Sequence, residues 1–341
     1  MGASQLDIED FGQLITYLRA RGAIGASEDD PVLSILRGGV SNRVVLVRRA
    51  NGVAWVLKQG LPKLRVEVDW FSDPARIQRE ASALKWLRAL GLDVPKLQFE
   101  DPDAHLIAMD AVPEPHTNWK QLLLAGHLEI SHVETFARML AHLHLRSAER
   151  RAEISVAFED DSFFESLRIE PYYLYTCEQI PAVRPFISAV VYSTRANHLC
   201  LVHGDYSPKN VLIHDGRLVL LDHEVAHFGD PAFDLGFSMT HLLSKANHVS
   251  SHRLLFAEAT LRYWQIYWQL VRDHPLAGGL ERRAIESTLC CLLARVAGRS
   301  PLEYLTALEK ERQLRSVTRL MTNVPETAHE LVAQFLDGLA A

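Results

Sequence analysis

The chain has 341 residues, of which 48% are hydrophobic and 23% charged, and its formal net charge is −6. This length allows two lobes with separate cores, and the acidic balance argues against a broad nucleic-acid-binding surface. No stretch resembles a membrane span, the N-terminus lacks a signal-peptide pattern, and the four cysteines lack metal-ligand spacing. We therefore expect a cytoplasmic protein with reduced thiols, either a monomer or a homodimer.

The N-terminal part of the chain predicts an antiparallel sheet. Strands over 32–37 and 43–47 flank a glycine-containing loop, 38–42, and the Asn51-Gly52 turn leads into a third strand over 53–58. Backbone N–H groups of such a loop can bind phosphates, although any hairpin can carry two glycines. The candidate nucleotide-binding residues of this loop are Gly38, Gly39, Ser41 and Asn42.

Lys58 ends the third strand, where a lysine often simply reaches solvent. The helix that follows is predicted to be capped by Asp73 and to end at Gly91, and Glu80 falls on its apolar face. A carboxylate that points into a core needs a partner, and Lys58 is the natural one. A strand lysine paired with a helix glutamate is how kinases hold nucleotide phosphates.

A lobe boundary is predicted after the next hairpin, 96–109. Two prolines, Pro113 and Pro115, make the following stretch a stiff connector. The predicted domains are a nucleotide-binding lobe over 1–110, a hinge over 111–116, and a catalytic and acceptor-binding lobe over 117–341.

The second lobe is predicted to be mostly helical. Ser131-x-x-Glu134 reads as a capping box, and 158–195 reads as helices lying over the lobe. Towards the C-terminus, helices are expected over 234–245, 252–272, 280–297, 301–321 and 325–339. Four aromatic residues at i,i+4 spacing suit either the core or a cage for a quaternary ammonium group. They are Tyr263, Trp264, Tyr267 and Trp268.

The segment Leu201–Gly236 carries the chemistry. Asn210 follows Asp205 by five residues, and the Asp215-Gly216 turn between two short strands brings Asn210 near Asp222. Phosphoryl transfer needs such a set, because an aspartate takes or orients the hydroxyl proton while an Asn–Asp pair holds Mg²⁺. We predict Asp205 as the catalytic residue and Asn210 and Asp222 as metal ligands. Glu224 is a further metal candidate or a hydrogen-bonding group.

This segment, including Gly229–Gly236, resembles the catalytic core of the aminoglycoside phosphotransferase and choline kinase superfamily, which are small-molecule relatives of the protein kinases. The first lobe resembles methylthioribose kinase in Val56–Val66, Trp70 and the Asp222-His223-Glu224 pattern. Asn210 and GDPAFDLG are closer to the general phosphotransferase pattern. The resemblance implies a two-lobe, protein-kinase-like α+β fold and the use of ATP or GTP with Mg²⁺.

The resemblance also implies roles for further residues. The backbone of Asp110, Ala111 and Val112 is expected at the adenine edge. His203, Asp230 and Asp234 are expected to support the catalytic loop. Arg282 and Arg283 follow a glycine-containing turn and are candidate acceptor-binding residues, or else part of a solvated helix face.

These features predict a kinase that phosphorylates a hydroxyl group of a small molecule, with a sugar-like metabolite favoured. The alternatives are an antibiotic kinase, a choline- or homoserine-type kinase, and a nucleotide-binding module without catalysis. A protein kinase is excluded because only seven residues, His223–Gly229, separate Asp222 from Asp230, which leaves no room for an activation loop.

Overall fold

The computed structural model describes residues 6–37, 39–66 and 69–340. They divide into two compact units, with the boundary between Glu114 and Pro115. The first unit is built on an antiparallel sheet and the second is mostly helical, as predicted for the α+β class.

Within the described residues, the first unit contains five strands and two helices. The strands are β1 (Val32–Ile35), β2 (Asn42–Arg48), β3 (Ala54–Gly60), β4 (Leu97–Asp101) and β5 (Leu106–Asp110). They form one antiparallel sheet in the order β1-β2-β3-β5-β4. The helices are α1 (Phe11–Ala20) and α2 (Arg76–Ala89).

Period-two alternation builds the core of this sheet. Val45 and Val47 of β2 point to the same face, where they are buried with Leu57 of β3. Leu14 and Leu18 of α1 belong to the same hydrophobic cluster, so α1 covers this face.

The start of α2 differs from the prediction. Asp73 Oδ1 accepts a hydrogen bond from Ala75 N–H at 2.8 Å, but the helix begins at Arg76 and its N-cap, Ala75, makes no side-chain cap bond. Asp73 therefore forms a turn before the helix and does not cap it.

The second unit has many more helices. Its first part contains β6 (Thr117–Asn118), α3 (Trp119–Leu124), α4 (Ile130–Glu149), α5 (Arg151–Ala157), α6 (Ser162–Phe164), a π-helix (Glu165–Leu174), α7 (Tyr175–Gln179) and α8 (Arg184–Ala196). The catalytic segment contains β7 (Cys200–Val202), a 3₁₀ turn (Pro208–Asn210), β8 (Val211–His214), β9 (Arg217–Leu220) and β10 (His227–Gly229). The remainder contains α9 (Pro231–His248), α10 (Arg253–Val271), α11 (Leu280–Ala297), α12 (Ala307–Thr322) and α13 (Ala328–Ala340).

Several helices in this unit begin at residues other than those predicted from the sequence. The capping box at Ser131 is wrong, because α4 begins at Ile130 and its N-cap, Glu129, makes no side-chain bond. Helix α9 begins at Pro231, capped by Asp230, and so starts three residues earlier than expected. Helix α12 begins at Ala307, where Thr306 and Glu309 form a reciprocal capping box.

Helix α9 is the centre of the second unit. Every residue from Pro231 to Asn247 is buried, and the helix packs against α10 and α11. A Cβ on Gly236 would lie 2.7 Å from Thr288 N, so only glycine permits this close approach to α11. Tyr263 and Tyr267 of α10 are fully buried and Trp264 is 7% exposed, so these three residues of the aromatic stripe lie in the core, whereas Trp268 is only partly buried. No helix in the described ranges is long and apolar enough to cross a membrane.

Candidate active site

The catalytic loop holds Asp205 through its neighbours. Asn210 Nδ2 donates to Asp205 Oδ2 at 2.8 Å and to the Asp205 carbonyl at 3.0 Å. His203 Nδ1 accepts from the Asp205 N–H at 3.1 Å, and burial lowers the pKa of His203, which favours the neutral ring that this bond needs. The loop therefore orients the Asp205 carboxylate through Asn210 and fixes the Asp205 backbone through His203.

Asp234 ties this loop to helix α9. Its two carboxylate oxygens accept from the N–H groups of His203 at 2.7 Å and Gly204 at 2.9 Å, and His144 Nε2 lies 3.3 Å away. Burial opposes its charge, but His144 and His203 together outweigh burial and keep the pKa of Asp234 below its ordinary value. Gly204 adopts φ +77°, and a Cβ there would lie 2.9 Å from Val225 O, so the loop requires glycine.

The β8–β9 hairpin places Asn210 beside Asp222. Asp215 and Gly216 both have positive φ, 48° and 72°, as the predicted tight turn requires. Leu221 N–H donates to Asn210 O at 2.9 Å, and Asp222 follows immediately. Asp222 itself has φ +66°, a left-handed conformation that is uncommon for residues with a side chain and that is found both in turns and at functional sites.

Arg168 is a site residue that the sequence did not reveal. It lies in the π-helix, and π-helical turns are frequent at functional sites. Its guanidinium approaches Asp205 Oδ2 to 3.1 Å and donates from Nε to Gly204 O at 2.6 Å. Burial disfavours its charge, yet the surrounding negative groups, Asp205 foremost, raise the pKa of Arg168. Asp222 and Glu224 also contribute, so all three carboxylates act on one buried cation.

The donor set fits a magnesium ion that is shared with phosphates. In the described ranges no cluster of three or more His, Cys, Asp or Glu side chains is arranged to hold a metal by itself. Mg²⁺ needs only one or two protein carboxylates when waters and nucleotide phosphates complete its octahedron. With its Nδ2 bonded to Asp205, the Asn210 amide can offer Oδ1 as a hard ligand next to Asp222.

In the first unit, Lys58 and Glu80 form the ion pair that helix periodicity predicts. Lys58 Nζ lies 2.7 Å from Glu80 Oε1, and the glutamate is fully buried. A buried carboxylate next to a lysine holds that lysine in one position. Their contact with nucleotide phosphates stays a prediction.

The last two residues of the predicted glycine loop contact Arg76, another residue that sequence reasoning missed. Its buried guanidinium donates to the carbonyls of Ser41 and Leu61 and lies 3.5 Å from Asn42 Oδ1. Arg76 lies four residues before Glu80, so their shared helix face was an available signal. A Cβ on Gly39 would meet open space, and Gly38 lies outside the described residues.

The predicted adenine-binding backbone is partly engaged within the sheet. Asp110 N–H donates to Lys96 O at 2.9 Å, and Ala111 N–H donates to Ala54 O at 3.0 Å. The N–H groups of Asp110 and Ala111 are therefore already bonded, and contact of this stretch with a base stays a prediction.

The two predicted acceptor-binding arginines have carboxylate partners. Arg283 Nε donates to Asp230 Oδ2 at 2.8 Å, and that aspartate caps α9. Burial raises the pKa of Asp230, and Arg283 works in the opposite direction. Arg282 Nε donates to Glu286 at 2.6 Å on a half-exposed helix face. Acceptor binding by either arginine stays a prediction.

The fold is a kinase-like α+β fold, and it carries an Asp-x₄-Asn loop followed by a further aspartate. A lysine at the end of a strand pairs with a helix glutamate. This combination is typical of small-molecule phosphotransferases. The chain belongs to the phosphotransferase enzyme family (APH), which matches residues 32–275.

Similar proteins of known name fall in the same class. Methylthioribose kinase from Citrobacter koseri is 24% identical over 265 residues, which cover 67% of this chain and 64% of that protein. The chain thus matches slightly less than two thirds of this relative's length. Among solved structures, an amicoumacin kinase bound to AMP-PNP, Ca²⁺ and its antibiotic has a TM-score of 0.57 at 14% identity, covering 93% and 96% of the two chains. Ethanolamine kinase from Plasmodium vivax has a TM-score of 0.57 at 12% identity, covering 99% and 91%. These structures share the fold.

Proposed function

We propose that this protein transfers the γ-phosphate of ATP to a hydroxyl group of a sugar-like small molecule, with Mg²⁺ as the metal. The proposal rests mainly on the contact between Asp205 and Asn210. The hairpin bonds Asn210 O to Leu221 N–H, so that Asp222, the next residue, follows close to this contact. The amicoumacin kinase complex with AMP-PNP supports an adenine nucleotide. Similarity to methylthioribose kinases supports a sugar-like acceptor.

Each residue then has a defined task. Asp205 accepts or orients the acceptor's hydroxyl proton, and its carboxylate is held by the amide of Asn210 and the guanidinium of Arg168. Lys58, positioned by Glu80, binds nucleotide phosphate oxygens. Asn210 and Asp222 would hold Mg²⁺, which neutralises phosphate charge when it is bound. Glu224, which is buried two residues beyond Asp222, is the alternative Mg²⁺ ligand.

The arrangement argues against a module without catalysis. A silent nucleotide-binding protein has no need to orient a carboxylate at the position where a hydroxyl proton is taken. Here the Asp205 carboxylate contacts the amide of Asn210 and the guanidinium of Arg168, and the Asp205 backbone N–H donates to His203. Such preorganisation of one carboxylate is what proton transfer requires.

The test is a screen of small hydroxyl compounds with ATP or GTP and Mg²⁺, read by mass spectrometry for the added phosphoryl group. The panel includes sugars, polyols, choline, homoserine and kanamycin. Asp205→Asn is the matched control, expected to slow transfer by roughly 10²–10⁴ while nucleotide affinity is unchanged. Nucleotide binding with no phosphorylated product from any compound would support the silent module. Exclusive phosphorylation of kanamycin would establish an antibiotic kinase.

A further inference from the structure

A group of mostly buried basic side chains lies inside the second unit, near the catalytic loop. We call it the basic cluster, and it comprises His241 and Lys245 of α9, Arg295 of α11, Lys120 of α3 and, beside them, Tyr304 of the loop before α12. Lys245 is fully buried, and His241 and Arg295 are 3% and 8% exposed. Lys245 Nζ and Lys120 Nζ lie 5.5 and 5.7 Å from the centre of the Tyr304 ring.

The cluster has too few negative charges. Lys245 Nζ donates to His241 O at 3.1 Å, and Arg295 donates to Tyr172 OH, Ser300 O and Ser300 Oγ. Among the described residues, no carboxylate forms an ion pair with Lys245 or Arg295. The nearby Glu303 pairs with Lys120, and its side chain is 68% exposed. Burying a charge without a counter-ion is costly, so this arrangement calls for an anion.

Polar atoms in and beside the cluster also lack partners. Three buried atoms of the cluster make no hydrogen bond within the described part of the chain. They are His241 Nε2, Arg295 Nε and Tyr304 OH. Native proteins rarely leave such groups unsatisfied, and a bound ligand can supply the partners that the chain itself does not. Burial lowers the pKa of His241 well below its ordinary value, and four surrounding cations lower it further.

A pair of aromatic rings connects the cluster to the catalytic carboxylate. The Arg168 guanidinium, which contacts Asp205, lies 5.5 Å from the Tyr172 ring and 5.7 Å from the Phe237 ring. The Arg295 guanidinium lies 5.4 and 5.6 Å from the same two rings. A ligand that occupied the cluster would thus lie one ring pair away from Asp205.

We infer that the basic cluster is an anion-binding site, and that the acceptor is a hydroxyl compound that carries a carboxylate or phosphate group. The identification of the ligand as the acceptor rests on the proposed function, whereas anion binding itself does not. The anionic group takes the place of the missing counter-ion at Lys245 and Arg295, and the rest of the acceptor extends past the Tyr172–Phe237 ring pair so that its hydroxyl reaches Asp205. Tyr304 OH and His241 Nε2 supply further polar contacts.

The test uses two matched pairs of probes, glycerol 3-phosphate with glycerol and D-gluconate with sorbitol. Binding is measured by calorimetry and thermal shift without nucleotide, and phosphorylation is measured by ADP release. Lys245→Met removes the central cation, and Tyr304→Phe removes one unsatisfied hydroxyl with little change of volume. Lys310→Met, on α12, is the control lysine. Lys58→Met reports anions that bind instead at the predicted nucleotide-phosphate position.

We expect at least one anionic probe to bind wild type, and Lys245→Met to weaken it by about tenfold or more, or 1.4 kcal/mol. Tyr304→Phe weakens it by a smaller factor, and Lys310→Met leaves it unchanged. The inference is overturned if neither anion binds, or if binding is lost in Lys58→Met and kept in Lys245→Met. Anion binding that depends on Lys245 without any phosphorylation would uphold the site and refute the phosphotransfer proposal. Phosphorylation of the neutral probes with a KM unaffected by Lys245→Met would uphold the phosphotransfer proposal and refute the anion-binding site.

Discussion

Replacing Lys245 by methionine should make the free protein more stable, and the gain should depend on pH. Burial, together with the charges of Lys120 and Arg295, lowers the pKa of Lys245 from 10.5 to about 7. The groups that face its ammonium are His241 on the same helix, Arg295, Lys120, Tyr304 and the opposing Glu303. The folded protein therefore binds this proton more weakly than the unfolded chain does.

The sign and size of the effect follow from linkage. Because the folded pKa is the lower one, Lys245 destabilises the fold fully below pH 7, and the penalty fades as pH rises towards 10.5. A difference of about 3.5 pKa units corresponds to at most about 5 kcal/mol. The substitution also removes the hydrogen bond from Lys245 Nζ to His241 O, a loss that does not depend on pH over this range, so we expect Lys245→Met to gain about 2 kcal/mol at pH 6. The advantage should shrink by about 2 kcal/mol between pH 7 and pH 9.

The assay is urea unfolding of wild type, Lys245→Met and Lys310→Met at pH 6, 7, 8 and 9. The slope with denaturant must be the same for all three proteins, so that midpoints report stability. A gap between wild type and Lys245→Met that is equal at pH 6 and pH 9 would refute the reasoning. A loss of stability in Lys245→Met with no change in Lys310→Met would show that the ammonium has a partner in the folded protein.

Three further substitutions test the site. Asp222→Ala should abolish the Mg²⁺-dependent part of nucleotide binding in calorimetry, and unchanged Mg²⁺ dependence would move the metal site elsewhere. Arg283→Ala should cost about 3 kcal/mol of unfolding free energy because it strands a buried carboxylate, whereas Arg282→Ala should cost under about 0.5 kcal/mol. Equal losses from the two would contradict a structural role for Arg283. Arg168→Met should lower kcat by roughly tenfold or more by releasing Asp205, with partial recovery in Arg168→Lys, and an unchanged kcat would remove Arg168 from the site.

Interactions that are close in sequence could be predicted without the structure. The Asp205–Asn210 contact spans five residues, and the tight turn at Asp215-Gly216 brings Asn210 beside Asp222. Glu80 could be placed on a buried helix face from 3.6-residue periodicity alone. A single turn or helix determines each of these geometries, so their residues can be read from spacing.

The tertiary structure decided everything that depends on contacts between distant segments. Arg168 meets Asp205 from 37 positions earlier in the chain, and no local pattern distinguishes it from a surface arginine. The basic cluster gathers side chains from three helices and a loop, and its electrostatics exist only because packing excludes water from most of them. The predicted helix start at Ser131 is wrong for a related reason. A helix begins where backbone groups find partners, and in a packed protein the surrounding elements also decide which partners are present.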